Sequence, residues 1–243
     1  SPPEEILLRV NALAGDHGFF QVGQLQVRER GDLLAYVFDT DGSERYTLRI
    51  LDLATRTTVD DPIADVASSL VWSSCDGFLF YVTLDAAHRP HEVRRHRLGT
   101  PAASDVVVFR EEDAAFSVSL QASKDRCYLL IHSTSSTASE ARLIPLADPE
   151  REPVVFRPRK ERIELRLDHG PGFFYLLTND GARDFRLVRI ADERPFDDPG
   201  EEMVPGRDGI RLEDFEIFRR RRAVFERVDG LVRVRVRRLD DGT

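Results

Sequence analysis

An all-β fold, a β-propeller of four-stranded antiparallel blades, is predicted by three features of this 243-residue chain. Apolar runs followed by a turn and an alternating strand recur along its length. The recurrence has a period in the range typical of propeller blades. Helix signals are almost absent, with short helical turns expected only in the acidic loops between strands.

The runs begin near Leu34 (LAYVFDTDGSERYTLRILDL), Leu79 (LFYVTLDAAHRPHEVRRHRL), Leu129 (LLIHSTSSTASEARLIPL), Phe173 (FFYLLTNDGARDFRLVRI) and Ala223 (AVFERVDGLVRVRVRRL). Successive starts lie 45, 50, 44 and 50 residues apart. A shorter strand precedes the later runs, at 69–72, 116–120, 162–167 and 212–218, and a fourth follows at 105–109 and 153–156. Four antiparallel strands make one blade, which sets the blades at about 19–60, 65–113, 114–158, 160–206 and 208–243. Asp41-Gly42 and Asp180-Gly181 occupy the same place in different repeats, and Asp229-Gly230 falls one residue earlier in the fifth. Asp-Gly suits a two-residue type I′ turn, which needs φ > 0 at both central positions. The third repeat replaces the pair with STSSTAS, where a longer polar loop is expected. Leu34, Leu79, Leu129 and Phe173 are expected to pack within or between blades, since each sheet buries both faces.

Composition narrows the function. Hydrophobic residues make up 41% and charged residues 32% of the chain, with a net charge of −8. This is a globular composition, and nucleic acid is not an expected partner. No apolar run reaches the ~20 residues of a transmembrane helix, so no membrane partner is expected. The start, SPPEEILLRV, lacks the basic and apolar regions of a signal peptide. Two cysteines, Cys75 and Cys127, do not form a disulfide framework, and a reduced, cytoplasmic setting is expected. The only methionine is Met203, and both ends of the chain read as cut.

Candidate chemistry is sparse. His88, His91 and His96 lie close to one another and share a repeat with Cys75, but a strand over 91–98 sends His91 and His96 to opposite faces. Their spacing matches no structural zinc pattern, so neither a metal nor a cofactor site is expected. DTDGSE at 39–44 echoes the start of a calcium loop yet lies between strands, and it reads as a turn. Arg219–Arg222 and the alternation of Val232, Val234 and Val236 with Arg233, Arg235 and Arg237 suit a face that docks another protein surface, or one that is simply solvated. No G-x-S-x-G elbow occurs, and neighbours such as His132 and Ser133 point apart on a strand. No catalytic residue is assigned.

Five segments resemble oligopeptidase B, the basic-residue-specific branch of the prolyl oligopeptidase family of serine peptidases. They are EEILLRVNALAGDHGFFQVGQLQVRERGDLLAYVFDTDGSERYTLRILDLAT, VWSSCDGFLFYVTLDAAHRPHEVRRHRLGT, HSTSSTASEARLI, LLTNDGARDFRLVRI and RLEDFEIFRRRRAVFERVDGLVRVRVRRL, which follow in order through the whole chain. The resemblance implies about five blades of a seven-bladed propeller. Such a propeller restricts access to an α/β-hydrolase domain, which would follow this chain and carry the catalytic residues. The partners implied are that C-terminal hydrolase domain and, for the parent protein, short peptides cleaved after Arg or Lys. The chain departs from the family at Gln121–Ser123, where a Thr-x-Ser is usual, and at Ala115, where Arg is frequent. A free-standing propeller acting as a protein-binding scaffold is the alternative.

Overall fold

The computed structural model describes residues 6–75, 77–193, 195–196 and 198–239. These form two compact units, residues 1–114 with 118–120 and residues 115–117 with 121–243.

The first unit opens with a short helix, α1 (Val10–Ala14). The helix lies in the leading segment, where Ala12, Leu13 and Ala14 are good helix formers and Gly15 ends them, while a short 3-10 turn, Ala102–Ser104, lies in an inter-strand loop just before Asp105. Seven strands follow: β1 (Gln21–Val27), β2 (Leu33–Asp39), β3 (Tyr46–Asp52), β4 (Ile63–Trp72), β5 (Phe78–Leu84), β6 (Pro90–Arg97) and β7 (Val106–Arg110). They are hydrogen-bonded in chain order, antiparallel throughout. The β3–β4 pairing is confined to Tyr46↔Val66 and Leu48↔Ile63, whereas β4 pairs with β5 at Val66 and again through Leu70, Val71 and Trp72. Val66 therefore pairs on both sides, and the rest of the β4–β5 ladder lies beyond the reach of β3.

Strand β2 is buried at every residue. Its period of two explains how: Leu34, Tyr36 and Phe38 pack with Leu8 and Leu13 of the leading segment, while Leu33, Ala35 and Val37 join a second core with Leu48, Leu70, Trp72 and Tyr81. One strand feeds two cores, so it reads as continuously apolar.

The second unit repeats this logic. Strands β8 (Ser117–Ala122), β9 (Tyr128–Thr134), β10 (Ser139–Pro145) and β11 (Val154–Arg157) make one antiparallel sheet. Strands β12 (Leu165–Gly170), β13 (Phe173–Thr178), β14 (Arg186–Ala191) and β15 (Glu201–Val204) make the next, and β16 (Ile210–Ile217), β17 (Arg221–Val228) and β18 (Leu231–Arg238) the last. Phe174 and Leu176 of β13 pack with Leu130, Leu143 and Phe156, whereas Tyr175 and Leu177 pack with Leu212, Phe215 and Ile217. Leu34, Leu79 and Leu129 are fully buried, and Phe173 is partly buried against the last core.

The turns correct two expectations. Only Asp229-Gly230 has positive φ at both positions, 51° and 79°, as a two-residue type I′ turn requires. Around Asp41-Gly42 the left-handed residues are Gly42 and Glu44, in a six-residue loop between β2 and β3. Asp39 widens it by accepting backbone N–H bonds from Asp41, Gly42 and Glu44 at 3.0, 3.1 and 2.9 Å. Around Asp180-Gly181 it is Gly181 and Phe185 that have positive φ. STSSTAS is not a longer loop: β9 runs to Thr134 and β10 starts at Ser139, because Ser135 accepts from Ala138 N–H at 3.0 Å and closes the turn.

Candidate functional site: carboxylate–histidine clusters and the last sheet face

The histidines of the second repeat do not converge with Cys75. His88 sits in the β5–β6 loop at φ 64° and accepts from Arg45 Nε at 3.2 Å. The half-buried His91 keeps Nδ1 without a hydrogen-bond partner. Cys75 is in the β4–β5 turn, its Sγ 3.8 Å from Ser73 Oγ. His96 alone enters a polar cluster. Its Nδ1 lies 2.8 Å from Asp105 Oδ1 and its Nε2 3.3 Å from Asp60 Oδ2. Tyr81 donates to the other Asp105 oxygen at 2.8 Å. Burial pulls the His96 pKa down, but its bonds to Asp105 and Asp60 outweigh burial, and the net shift is upward. The Tyr81 phenol is pushed up by burial and by Asp105. The two carboxylates occupy the same position of successive repeats, 26 residues after Leu34 and 26 after Leu79.

A second cluster forms in the other compact unit. His169, buried on β12, directs Nδ1 at Asp125 Oδ2, 2.7 Å away, and Nε2 at Asp192 Oδ1, 2.9 Å away. Tyr128 and Phe174 hold the ring, with centroids 4.9 and 4.5 Å from it. Asp125 belongs to the tight β8–β9 turn, in which Arg126 has φ 60°. Its Oδ1 accepts from Ser123 Oγ at 2.9 Å and from Cys127 N–H at 3.2 Å. Burial raises the Asp125 pKa, but the Cys127 N–H and the facing imidazole bring it below the usual carboxylate value. Burial and the Asp125 carboxylate push the Cys127 thiol up to about 11. Asp125, Cys127 and His169 thus present an oxygen, a sulfur and a nitrogen within 4.8 Å of one another, a grouping able to hold a metal ion.

Sequence reasoning missed this cluster because its members are 44 residues apart. The signal existed: Asp125 stands four residues before Leu129, and His169 four before Phe173. Equivalent positions of consecutive repeats bring them together.

His132 and Ser133 are buried on β9, where successive residues face opposite ways. Burial lowers the His132 pKa to about 4, and its Nε2 has no hydrogen-bond partner. At neutral pH this imidazole is neutral.

The arginine-rich stretches separate. Arg222 is buried and donates to the Arg238 carbonyl at 3.2 Å, so 219–222 is not a uniformly solvated patch. On β18, Arg235 pairs at 2.9 Å with Glu226, which is 2% exposed and also bonded by Arg207. Arg235, Arg237, Met203 and Val224 are among the residues lining a cavity of about 150 Å³. Val232, Val234 and Val236 take the opposite face and are 51%, 56% and 54% exposed. Arg233, Arg235 and Arg237 are exposed as well, so this strand is open on both faces, one apolar and one basic.

The whole chain, residues 1–243, matches the family described as prolyl oligopeptidase, N-terminal beta-propeller domain. It is 34% identical over 239 residues to dipeptidyl aminopeptidase BI of Pseudoxanthomonas mexicana, covering 98% of this chain and 33% of that protein. Among solved structures it is similar to oligopeptidase B from Trypanosoma brucei with covalently bound antipain, in the closed form, at 30% identity and a TM-score of 0.88. That match covers 98% of this chain and 34% of the other. Oligopeptidase B from Leishmania major superposes with a TM-score of 0.92 at 26% identity, again over 98% of this chain and 34% of the other. The chain spans about a third of the length of these relatives.

Proposed function

The chain belongs to the N-terminal β-propeller family of the prolyl oligopeptidases, and from that premise we propose that it is the access-restricting propeller part of a serine-type oligopeptidase. The observation that carries the reading is the match over the whole chain to relatives three times its length, among them oligopeptidase B. In this reading the parent protein is cytoplasmic and cuts short peptides after Arg or Lys. Its own hydrolase domain lies C-terminal to this chain and supplies nucleophile, base and oxyanion hole.

We assign the blades to 19–60, 65–113, 114–158, 160–206 and 208–243, as five of seven. The four-stranded sheets β8–β11 and β12–β15 fall within the third and fourth ranges, and β4 links the first two by a short pairing with β3 and a longer one with β5. Residues 240–243 of the fifth range lie outside the described residues. The open valine face of β18 suits a following blade, since blades bury both faces against neighbours.

Two of its six histidines support a non-catalytic role for the chain itself. A serine nucleophile needs an imidazole with one nitrogen on the hydroxyl and the other on an orienting group. In both His96 and His169 the two nitrogens face carboxylates.

The test uses fluorogenic substrates ending in Arg or Pro, each with a free or a blocked N-terminus, on this chain and on the full-length protein. Cleavage of the blocked Arg substrate by the full-length protein alone is expected. Turnover restricted to free N-termini would favour a dipeptidyl aminopeptidase, the activity named for the 34%-identical relative. A parent gene with no G-x-S-x-G elbow after this region would support the binding scaffold instead.

A further inference from the structure

We propose that Asp125, Cys127 and His169 form a binding site for a divalent transition-metal ion of the zinc class, with Asp192 orienting the imidazole. This lies outside the peptidase reading and does not depend on it.

The donor set sets the chemistry. A thiolate, an imidazole and a carboxylate together select a borderline-soft ion over magnesium or calcium, which prefer all-oxygen shells. In tetrahedral zinc coordination, donors 2.0–2.3 Å from the ion lie roughly 3.3–3.7 Å from each other. Here all three donors fall within 4.8 Å, and the closest two, Nδ1 and Asp125 Oδ2, are 2.7 Å apart. Opening that pair and drawing the thiol in each requires a shift of about 1 Å or less on that geometry. Cys127 is exposed and can turn its sulfur without disturbing the core.

The decisive feature is the second carboxylate. Asp192 Oδ1 sits 2.9 Å from Nε2, at the far end of the ring, where it cannot share an ion held at Nδ1. A carboxylate that accepts the Nε2–H leaves Nδ1 as the ligating nitrogen and fixes the ring plane, the arrangement that commonly supports metal-bound histidines. Tyr128 and Phe174 add the packing that holds the ring. A water would complete the four-coordinate shell. On binding, the thiol proton and any proton between Nδ1 and Asp125 pass to solvent. His96 is an internal contrast: it also lies between two carboxylates, but no cysteine joins it.

The test is a titration of the full-length protein with Co²⁺ and then Zn²⁺, following the thiolate-to-cobalt charge-transfer band. One equivalent of Co²⁺ bound with that band and displaced by Zn²⁺ is expected. Cys127→Ser should abolish the band and weaken zinc roughly tenfold or more, whereas Asp192→Asn should keep the band with affinity lowered about 10–100-fold. Cys75→Ser and His96→Gln should change neither. Because Cys127 is at the surface, its substitution reports on the site without unfolding the core. The proposal is overturned by the absence of saturable binding at micromolar zinc, or by binding that Cys127→Ser leaves intact. His169 would then only tie Asp125 to Asp192 by hydrogen bonds.

Discussion

His96 and His132 are both buried, and their surroundings give them opposite pH dependences. Burial disfavours the charged form of His132, whose Nε2 has no hydrogen-bond partner, and its folded pKa of about 4 lies below the unfolded value of roughly 6.5. Between these values the unfolded chain binds a proton that the folded chain refuses, so stability is lost on acidification, by roughly 3 kcal/mol across the window. His132→Leu should flatten that loss, which urea midpoints at pH 7.5 and 5 would read. An unchanged acid slope would show that His132 takes up its proton without unfolding. His96 is shifted upward, so its contribution is fully present below the unfolded value and fades as pH rises through the folded one. The stability gap between wild type and His96→Gln should therefore be largest in mildly acidic buffer and close at alkaline pH. A gap independent of pH would mean a neutral ring.

At the scale of elements, the same Asp-Gly dipeptide makes different turns because of the residue two positions earlier. Asp39 supplies three backbone N–H acceptor contacts, whereas Thr178, 139 residues later, accepts one from Asp180 at 3.2 Å and donates to Glu164 O. Asp39→Ala should cost about 2–3 kcal/mol and Thr178→Val about 1, since the first removes three hydrogen bonds of its loop and the second one, at about 1 kcal/mol each. Equal losses in chemical denaturation would contradict this account. Gly23 shows a different constraint on β1. A Cβ there would meet Ser68 Oγ at 2.6 Å and Tyr46 Cε1 at 2.9 Å. That close approach lets Gln24 bond β4 twice, from its N–H to Ser68 Oγ and from its Oε1 to Leu70 N–H. Gly23→Ala should destabilise by about 1–3 kcal/mol through overpacking, measurable as a fall in thermal midpoint. The hairpins and the doubly buried runs were legible because apolar periodicity within one strand encodes them. The turn shapes were not, because they depend on side-chain acceptors flanking the Asp-Gly pair.

At the scale of the molecule, β18 presents Leu231, Val232, Val234 and Val236 to solvent, all more than half exposed. Contiguous apolar surface of this kind drives association, so the 243-residue chain on its own should self-associate. Replacing Val232, Val234 and Val236 by Thr should shift it toward monomer in light scattering. A monodisperse wild-type monomer would argue against an occupant for that face. For the complete protein, a seven-fold ring implies about 51° between blades and a closed five-fold ring about 72°, so the rotation measured in its experimental structure decides between them.

From the chain alone came the repeat, the order of its strands and the family, because each is written in residues adjacent along the backbone. The unbroken apolar run in FFYLLT is enough to predict a strand shared by two cores, and Phe174 and Tyr175 do enter different ones. The packing of sheets decided what joins residues one repeat apart: Asp60 with Asp105 around His96, and Asp125 with His169 beside Cys127. It also decided that β18 is exposed on its valine face and on its arginine face alike. Side-chain alternation places residues on opposite faces, but only the neighbouring sheet determines which face is buried.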